Sequence, residues 1–181
     1  EWVRLWRTAD RKQAGAAMRH GELAAGTAFS PDGRLLATAS WDRTVRLWRV
    51  ADGTAVGGPL TGHTDQVNAV VFLDGRTLAS AGYDRVVRVW DVTTRKATGA
   101  TFRGAPSTIN ALAVGPDGAL LAAATGRDGV WLWDVATRRL LTRPVATGQF
   151  QAVAFSGNGL VLAAATEKTV LLYDVGDLRT G

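Results

Sequence analysis

An internal repeat runs through the sequence and limits the folds that the chain can adopt. Strand-like segments that end in Trp or Tyr recur at intervals of 40 to 43 residues, and each ends just before Arg or Asp. Every period also contains a short turn closed by glycine, which tolerates the positive φ of a tight hairpin. The aromatic ends are Trp6, Trp48, Trp90, Trp133 and Tyr173, and the turns lie at 31–33, 73–75, 116–118 and 157–159. Several short strands per period predict an antiparallel sheet in each repeat.

The aromatic ends, in phase with the turns, resemble the WD-repeat β-propeller family over essentially all of residues 1–181. This resemblance implies an all-β fold of four-stranded antiparallel blades with strands a to d. Strand a is expected near 23–29, 67–72, 108–114 and 150–155, and strand b near 34–40, 76–81, 119–125 and 160–165. Strand c is expected at 2–6, 44–48, 86–90, 130–133 and 169–173, and strand d near 14–18, 54–60, 97–102 and 140–145.

The number of strands predicts an open arc of a β-propeller. Three complete blades are expected, with a leading half-blade and a trailing blade of three strands. Rings of this family usually contain about seven blades, whereas 181 residues supply little more than four periods. We therefore expect an arc cut from a larger propeller. The missing blades would come from the parent chain or from self-association.

The amino-acid composition limits the kinds of site that the chain can carry and indicates where the protein is located. The chain contains no cysteine, which excludes disulfides and thiolate metal sites. It has no apolar run near the roughly 20 residues of a membrane helix and no signal peptide, so a cytoplasmic location without membrane insertion is expected. Only three of the 21 basic residues are Lys, and this Arg-rich usage suggests a bacterial origin. No cofactor and no metal are expected, since the two histidines lie in different repeats.

Two repeats carry residue types that suit a hydrolase triad, with His, Ser or Thr, and Asp at matching offsets. A nucleophile usually occurs once per domain and needs an open pocket, so the repetition favours a structural role. The family resemblance implies a hydrogen-bonded tetrad that also includes the strand c Trp. The two sets are His20, Thr38, Asp42 and Trp48, and His63, Ser80, Asp84 and Trp90.

The later repeats lose this pattern. Alanine stands at the histidine and strand b positions of the third repeat, which are Ala105 and Ala123, and Arg127 stands at the Asp position beside Asp128. In the last repeat these positions are Ala146, Ala163 and Glu167. Both blades are therefore predicted to depend more on apolar packing.

The resemblance implies two surfaces that can bind a partner. On the top face, formed by the b–c and d–a loops, the aromatic residues before the turn Asp are anchor candidates; the alternative is that they only cover the seam between blades. The candidates on this face are Trp41, Arg43, Tyr83, Arg85, Thr64 and Gln66. On the opposite face the c–d loops carry basic pairs, which predict a basic rim or an ordinary solvated loop. The pairs are Arg11-Lys12, Arg95-Lys96 and Arg138-Arg139.

The leading hypothesis for function is a non-catalytic protein-interaction scaffold, a sensor or docking region of a larger bacterial signalling protein. A protein or peptide is the expected partner. Nucleic acid is not, because no Lys/Arg cluster with stacking aromatic residues is present. The alternatives are a propeller hydrolase or lyase with its site at the channel mouth, and a carbohydrate-binding propeller that stacks sugars on Trp41 and Tyr83.

Overall fold

The computed structural model describes residues 1–141 and 144–179, which form strands, turns and a short 3₁₀ helix at Gly176–Arg179. The first eight strands are β1 (Trp2–Trp6), β2 (Gln13–Arg19), β3 (Ala24–Phe29), β4 (Leu35–Ser40), β5 (Thr44–Arg49), β6 (Leu60–Thr61), β7 (Val67–Phe72) and β8 (Thr77–Gly82). The others are β9 (Val87–Asp91), β10 (Lys96–Phe102), β11 (Ile109–Val114), β12 (Leu120–Thr125), β13 (Val130–Asp134), β14 (Ala152–Phe155), β15 (Val161–Ala165) and β16 (Val170–Asp174).

The strands form five antiparallel sheets, each made of strands that follow one another in the chain. The first is β1–β2, the second β3 to β6, the third β7 to β10, the fourth β11 to β13 and the fifth β14 to β16. The first strands of successive sheets, β3, β7, β11 and β14, lie side by side. This arrangement confirms the expected arc of propeller blades, with strand a innermost.

The fourth strand is irregular in two blades. In the first complete blade only β6 forms a ladder, with Ala55 bridging to Trp48, because Gly57, Gly58 and Pro59 interrupt the segment predicted as a strand. In the next-to-last sheet, Leu140 and Ala146 bridge to strand β13 at isolated positions. Pro144 cannot donate a backbone hydrogen bond there, and residues 142 and 143 lie outside the described part of the chain.

Small residues on the second strand of each blade let neighbouring sheets approach closely. Ala37 and Ala39 on β4 and Ala79 and Ala81 on β8 are fully buried, and every residue of β12 is buried. Large side chains fill the space between blades: Trp90 packs against Leu47 and other residues of the preceding blade. The inner blades thus bury both of their faces against neighbours, and the apolar stabilisation arises there.

The two ends of the arc are exposed. Trp2 and Trp6 on β1 and Val170 and Leu172 on β16 are all more than half exposed. No helix within the described residues is long and apolar enough to cross a membrane.

Candidate functional site

The two predicted tetrads form continuous chains of hydrogen bonds. In the second set, His63 Nδ1 lies 2.8 Å from Asp84 Oδ2, and His63 Nε2 lies 2.7 Å from Ser80 Oγ. The indole Nε1 of Trp90 donates to the same Ser80 Oγ at 2.7 Å. Ser80 and Trp90 are buried, so each polar group that leaves water finds a partner inside the blade. The hydroxyl of Ser80 is therefore fully engaged and has no access to a substrate.

The first set repeats this geometry. His20 bridges Asp42 Oδ2 at 3.1 Å and Thr38 Oγ1 at 2.6 Å, and Trp48 Nε1 donates to Thr38 Oγ1 at 2.8 Å. In each set the histidine comes from the loop before strand a and the Asp from the turn between strands b and c. The hydrogen bonds thus join two loops and two strands of one blade.

Burial and hydrogen bonding set the charge of these groups. Burial lowers the pKa of His20, and its contact with Asp42 offsets this only in part. Burial alone would raise the pKa of Asp42, but the Thr44 hydroxyl, the Gly21 amide and His20 all donate to its carboxylate. Together they hold the pKa of Asp42 at about 2. Asp42 is therefore ionised and His20 neutral near pH 7.

The third blade replaces the tetrad with other contacts. Trp133 is fully buried, and its Nε1 donates to the backbone oxygen of Arg103 at 2.8 Å. Ala123 is buried within the same apolar cluster. The Asp128 amide donates to Thr125 Oγ1 at 3.1 Å, and Asp128 forms an isolated backbone bridge with Gly148. The indole is thus satisfied by a backbone carbonyl where the strand b hydroxyl is missing.

Trp41 and Tyr83 occupy equivalent positions but have different surroundings. Trp41 is half-buried, and its Nε1 donates to Oδ1 of Asn68 in the next blade at 3.1 Å. Tyr83 is 44% exposed. Trp41 therefore closes the seam between two blades, whereas Tyr83 leaves its ring open to solvent.

Side-chain amides line the mouth of the channel in three successive blades. Asn68 and Asn110 are the extra residues of bulges at the start of β7 and β11. Their Nδ2 groups donate to backbone oxygens of the next blade, Ile109 at 3.1 Å and Phe150 at 2.8 Å. Gln151 occupies the corresponding place before β14. The sequence signal for this row is a polar residue at a fixed place in the repeat, and none of these three residues was among the predicted site residues.

Two grooves on the top face share Tyr83 as a lining residue. One, of about 240 Å³, is lined by Ala25, Trp41, Asn68, Tyr83, Asn110 and Gln151. The other, of about 710 Å³, is lined by Tyr83, Arg85, Pro106, Ser107, Thr108, Arg127 and Asp128. The exposed side chain of Tyr83 is therefore accessible beside both grooves.

The other predicted residues of the top face lie in the turns beside these grooves. Arg43 and Arg85 are exposed and have φ of 67° and 62°, the left-handed region in which the b–c turns close. The Thr64 amide donates to Asp84 Oδ2 at 3.2 Å, and the Gln66 backbone oxygen accepts from the Tyr83 amide at 2.9 Å. The tetrads therefore hold the loops that present Tyr83 and Arg85.

The basic pairs of the opposite face are all exposed, at equivalent places in three turns. The first residue of each pair, Arg11, Arg95 or Arg138, has a φ between 57° and 59°, and Gly53 occupies that place in the remaining turn. Because positive φ favours glycine over a residue with a side chain, the turn geometry explains Gly53 and leaves the three arginines without a backbone reason. Within the described residues, no group of three or more His, Asp or Glu side chains is placed to hold a metal ion.

Comparisons with known proteins agree with this geometry. The profile of the WD domain, G-beta repeat family matches residues 22–49, 56–91 and 97–134. Pre-mRNA-processing factor 19 homolog 2 of Arabidopsis thaliana is 39% identical over 70 residues, which are 38% of this chain and 13% of that protein. Small ribosomal subunit protein RACK1 of Medicago sativa is 42% identical over 65 residues, which are 35% of this chain and 20% of that protein.

These matches cover only a small part of each relative, and both relatives come from plants, so the prediction of a bacterial source stays a prediction. The family profile, in contrast, covers more than half of the chain and places its repeats on the same strands as the structure. The chain belongs to the WD domain, G-beta repeat family.

Proposed function

We propose that this chain is a non-catalytic scaffold that docks a protein partner in extended form across the top face. The observation that carries this proposal is the groove of about 240 Å³ in which two aromatic rings stand beside a row of side-chain amides. Aromatic residues supply apolar contact area with few rotatable bonds and are typical anchors of interfaces. Amide side chains can both donate and accept hydrogen bonds, which suits a peptide backbone.

The side-chain amides in this groove keep hydrogen-bonding groups that a partner can use. The oxygen of Asn68 accepts from Trp41, but within the described residues the Oδ1 of Asn110 and the side-chain amide of Gln151 have no hydrogen-bond partner. A peptide that crosses the channel mouth beside Tyr83 would meet these groups in succession. We therefore assign the anchoring role to Tyr83, and assign Trp41 to the seam and one wall of the groove.

The two alternatives have less support. A hydrolase would need a reachable nucleophile, whereas Ser80 and Thr38 are buried and engaged by both His and Trp. A carbohydrate-binding propeller would need equivalent stacking pockets, whereas Trp41 is bonded across the seam and only Tyr83 is open. The wider role in a signalling protein stays part of the proposal.

Peptide selection tests the function. A library of random peptides is panned against the chain, and the selected peptides are titrated against Tyr83→Ala and, as a control, Phe29→Ala. Phe29 is 55% exposed but lies at the other end of its sheet. We expect Tyr83→Ala to weaken binding by about 2 kcal/mol and Phe29→Ala to leave it unchanged. Equal affinity for Tyr83→Ala and wild type would exclude the top face as the docking surface.

A further inference from the structure

A second feature of the top face is a small groove at the outer edge of the third sheet, lined by three arginines. It has a volume of about 280 Å³ and is lined by residues at the start of β9 and the end of β10. We call it the arginine groove and define it by Arg85, Arg88 and Arg103. We propose that the arginine groove binds a phosphate group carried by the docked protein partner, a proposal that rests on the proposed function for the identity of the carrier.

The positive charge of the groove is poorly compensated. Within the described residues, Arg85 and Arg103 form no ion pair, and both are exposed. The Arg88 side chain is 27% exposed, and its one ion-pair partner among the described residues is Asp84, with Nε and Oδ2 separated by 3.8 Å. This distance is too long for a hydrogen bond, and the Nε of Arg88 is a buried donor with no acceptor.

Asp84 has little capacity left for Arg88. Its Oδ2 already contacts His63 and the Thr64 amide, and its Oδ1 accepts from the Val86 amide at 3.2 Å. Because this Nε is buried, an anion that enters the groove would meet the part of the Arg88 guanidinium that stays exposed and would offset its charge. Guanidinium groups match the oxygens of a phosphate in geometry and charge.

The preceding blade supplies a matched comparison. Arg43 and Arg46 stand at the places of Arg85 and Arg88, and the Nε of Arg46 is likewise buried without a partner. Thr61 stands at the place of Arg103, followed by Gly62 as Arg103 is followed by Gly104. The guanidinium of Arg103 therefore distinguishes the arginine groove from the preceding blade. The backbone of Arg103 is held in place because its carbonyl oxygen accepts a hydrogen bond from Trp133.

The test is a titration with inorganic phosphate at constant ionic strength, followed by NMR of the arginine Nε–H signals. We expect saturable shifts at Arg85, Arg88 and Arg103, and a loss of affinity of about tenfold or more in Arg103→Thr. The control is Arg139→Thr, which removes the same charge from the opposite face and should leave the affinity unchanged. Thr61→Arg should create saturable shifts at Arg46. Equal effects of Arg103→Thr and Arg139→Thr would overturn the site, since net charge alone would then explain the binding.

Competition with peptides tests whether the phosphate group belongs to a protein partner. A phosphoserine peptide should displace inorganic phosphate from the wild-type groove, its unphosphorylated form should not, and Arg103→Thr should abolish the difference. Displacement by a single-stranded oligonucleotide but not by the phosphopeptide would overturn the assignment to a protein partner. The titration with inorganic phosphate does not involve Tyr83, so failure of the docking proposal and failure of the arginine groove give different results.

Discussion

The indole nitrogen of Trp41 donates a hydrogen bond to Oδ1 of Asn68 in the next blade, at 3.1 Å. Asn68 in turn donates to the backbone oxygen of Ile109 one blade further on. One amide therefore connects three successive blades at the mouth of the channel. Because the apolar contacts between adjacent blades lack direction, this hydrogen-bonded link, like that from Asn110 to Phe150, helps to fix how the blades are aligned around the groove.

A double-mutant cycle of Trp41→Phe and Asn68→Ala should give a coupling free energy of about 0.5–1.5 kcal/mol in denaturant unfolding. The phenylalanine keeps an aromatic ring but lacks the Nε1–H donor, and the ring volume that it loses is common to both cycles. A control cycle of Trp41→Phe with Asn110→Ala should show no coupling, because Asn110 bonds Phe150 instead. Equal coupling in the two cycles would mean that the Trp41–Asn68 hydrogen bond has no specific role.

Substitutions in the tetrad should lower the stability of the folded chain more when the replaced side chain is more deeply buried. Trp90→Ala leaves a large cavity and should cost about 3–5 kcal/mol, and His63→Ala strands Ser80 and Asp84 and should cost about 1–3 kcal/mol. Trp6→Ala is the matched control, because it changes the repeat-equivalent aromatic residue, which is 62% exposed. Thermal unfolding measures all three. An unchanged melting temperature for His63→Ala would show that His63 is not structural.

The repeat made the strands predictable because each turn and each terminal aromatic residue recurs in phase. The offsets also predicted which His, Asp and hydroxyl side chains meet, since the same loop geometry returns in each blade. The different roles of Trp41 and Tyr83 could not be predicted, because they depend on an amide one blade away. The arginine groove could not be predicted either, because Arg88 lies on β9 and Arg103 directly follows β10, and the register of these two strands is not visible in the pattern of apolar residues.

Acid should weaken the first complete blade in two steps. The pKa of His20 is lowered in the folded chain, so stability is fully present above the ordinary value of 6.5 and decreases as the pH falls below it. The pKa of Asp42 is about 2 against an ordinary 3.8, so its contribution is lost as the pH falls from about 4 to 2. Melting temperatures between pH 8 and pH 2 should fall less steeply over the lower range in Asp42→Asn. An identical slope in both proteins would contradict the assigned role of Asp42.

Glycine should be tolerated at one position of a basic pair and not at its neighbour. Arg138 has a φ of 59°, a conformation that costs a residue with a side chain about 1 kcal/mol. Arg138→Gly should therefore raise the free energy of unfolding by about 0.5–1 kcal/mol. Arg139→Gly removes the same charge at a position without positive φ and should lower it instead. Equal shifts in denaturant midpoint would attribute the effect to charge rather than to backbone strain.

The free edge of β16 should make the 181-residue chain self-associate. Within the described residues β16 pairs only with β15, and it exposes Val170 and Leu172 beside its unpaired backbone groups. Such an edge is a template for another strand, and a charged side chain suppresses the pairing. Leu172→Lys should therefore shift the sedimentation profile toward monomer. Leu23→Lys adds the same charge at a residue that is 42% exposed but lies outside β16, and should not shift it. A monomeric wild-type chain at high concentration, or an equal response to both substitutions, would show that the association does not proceed through this edge.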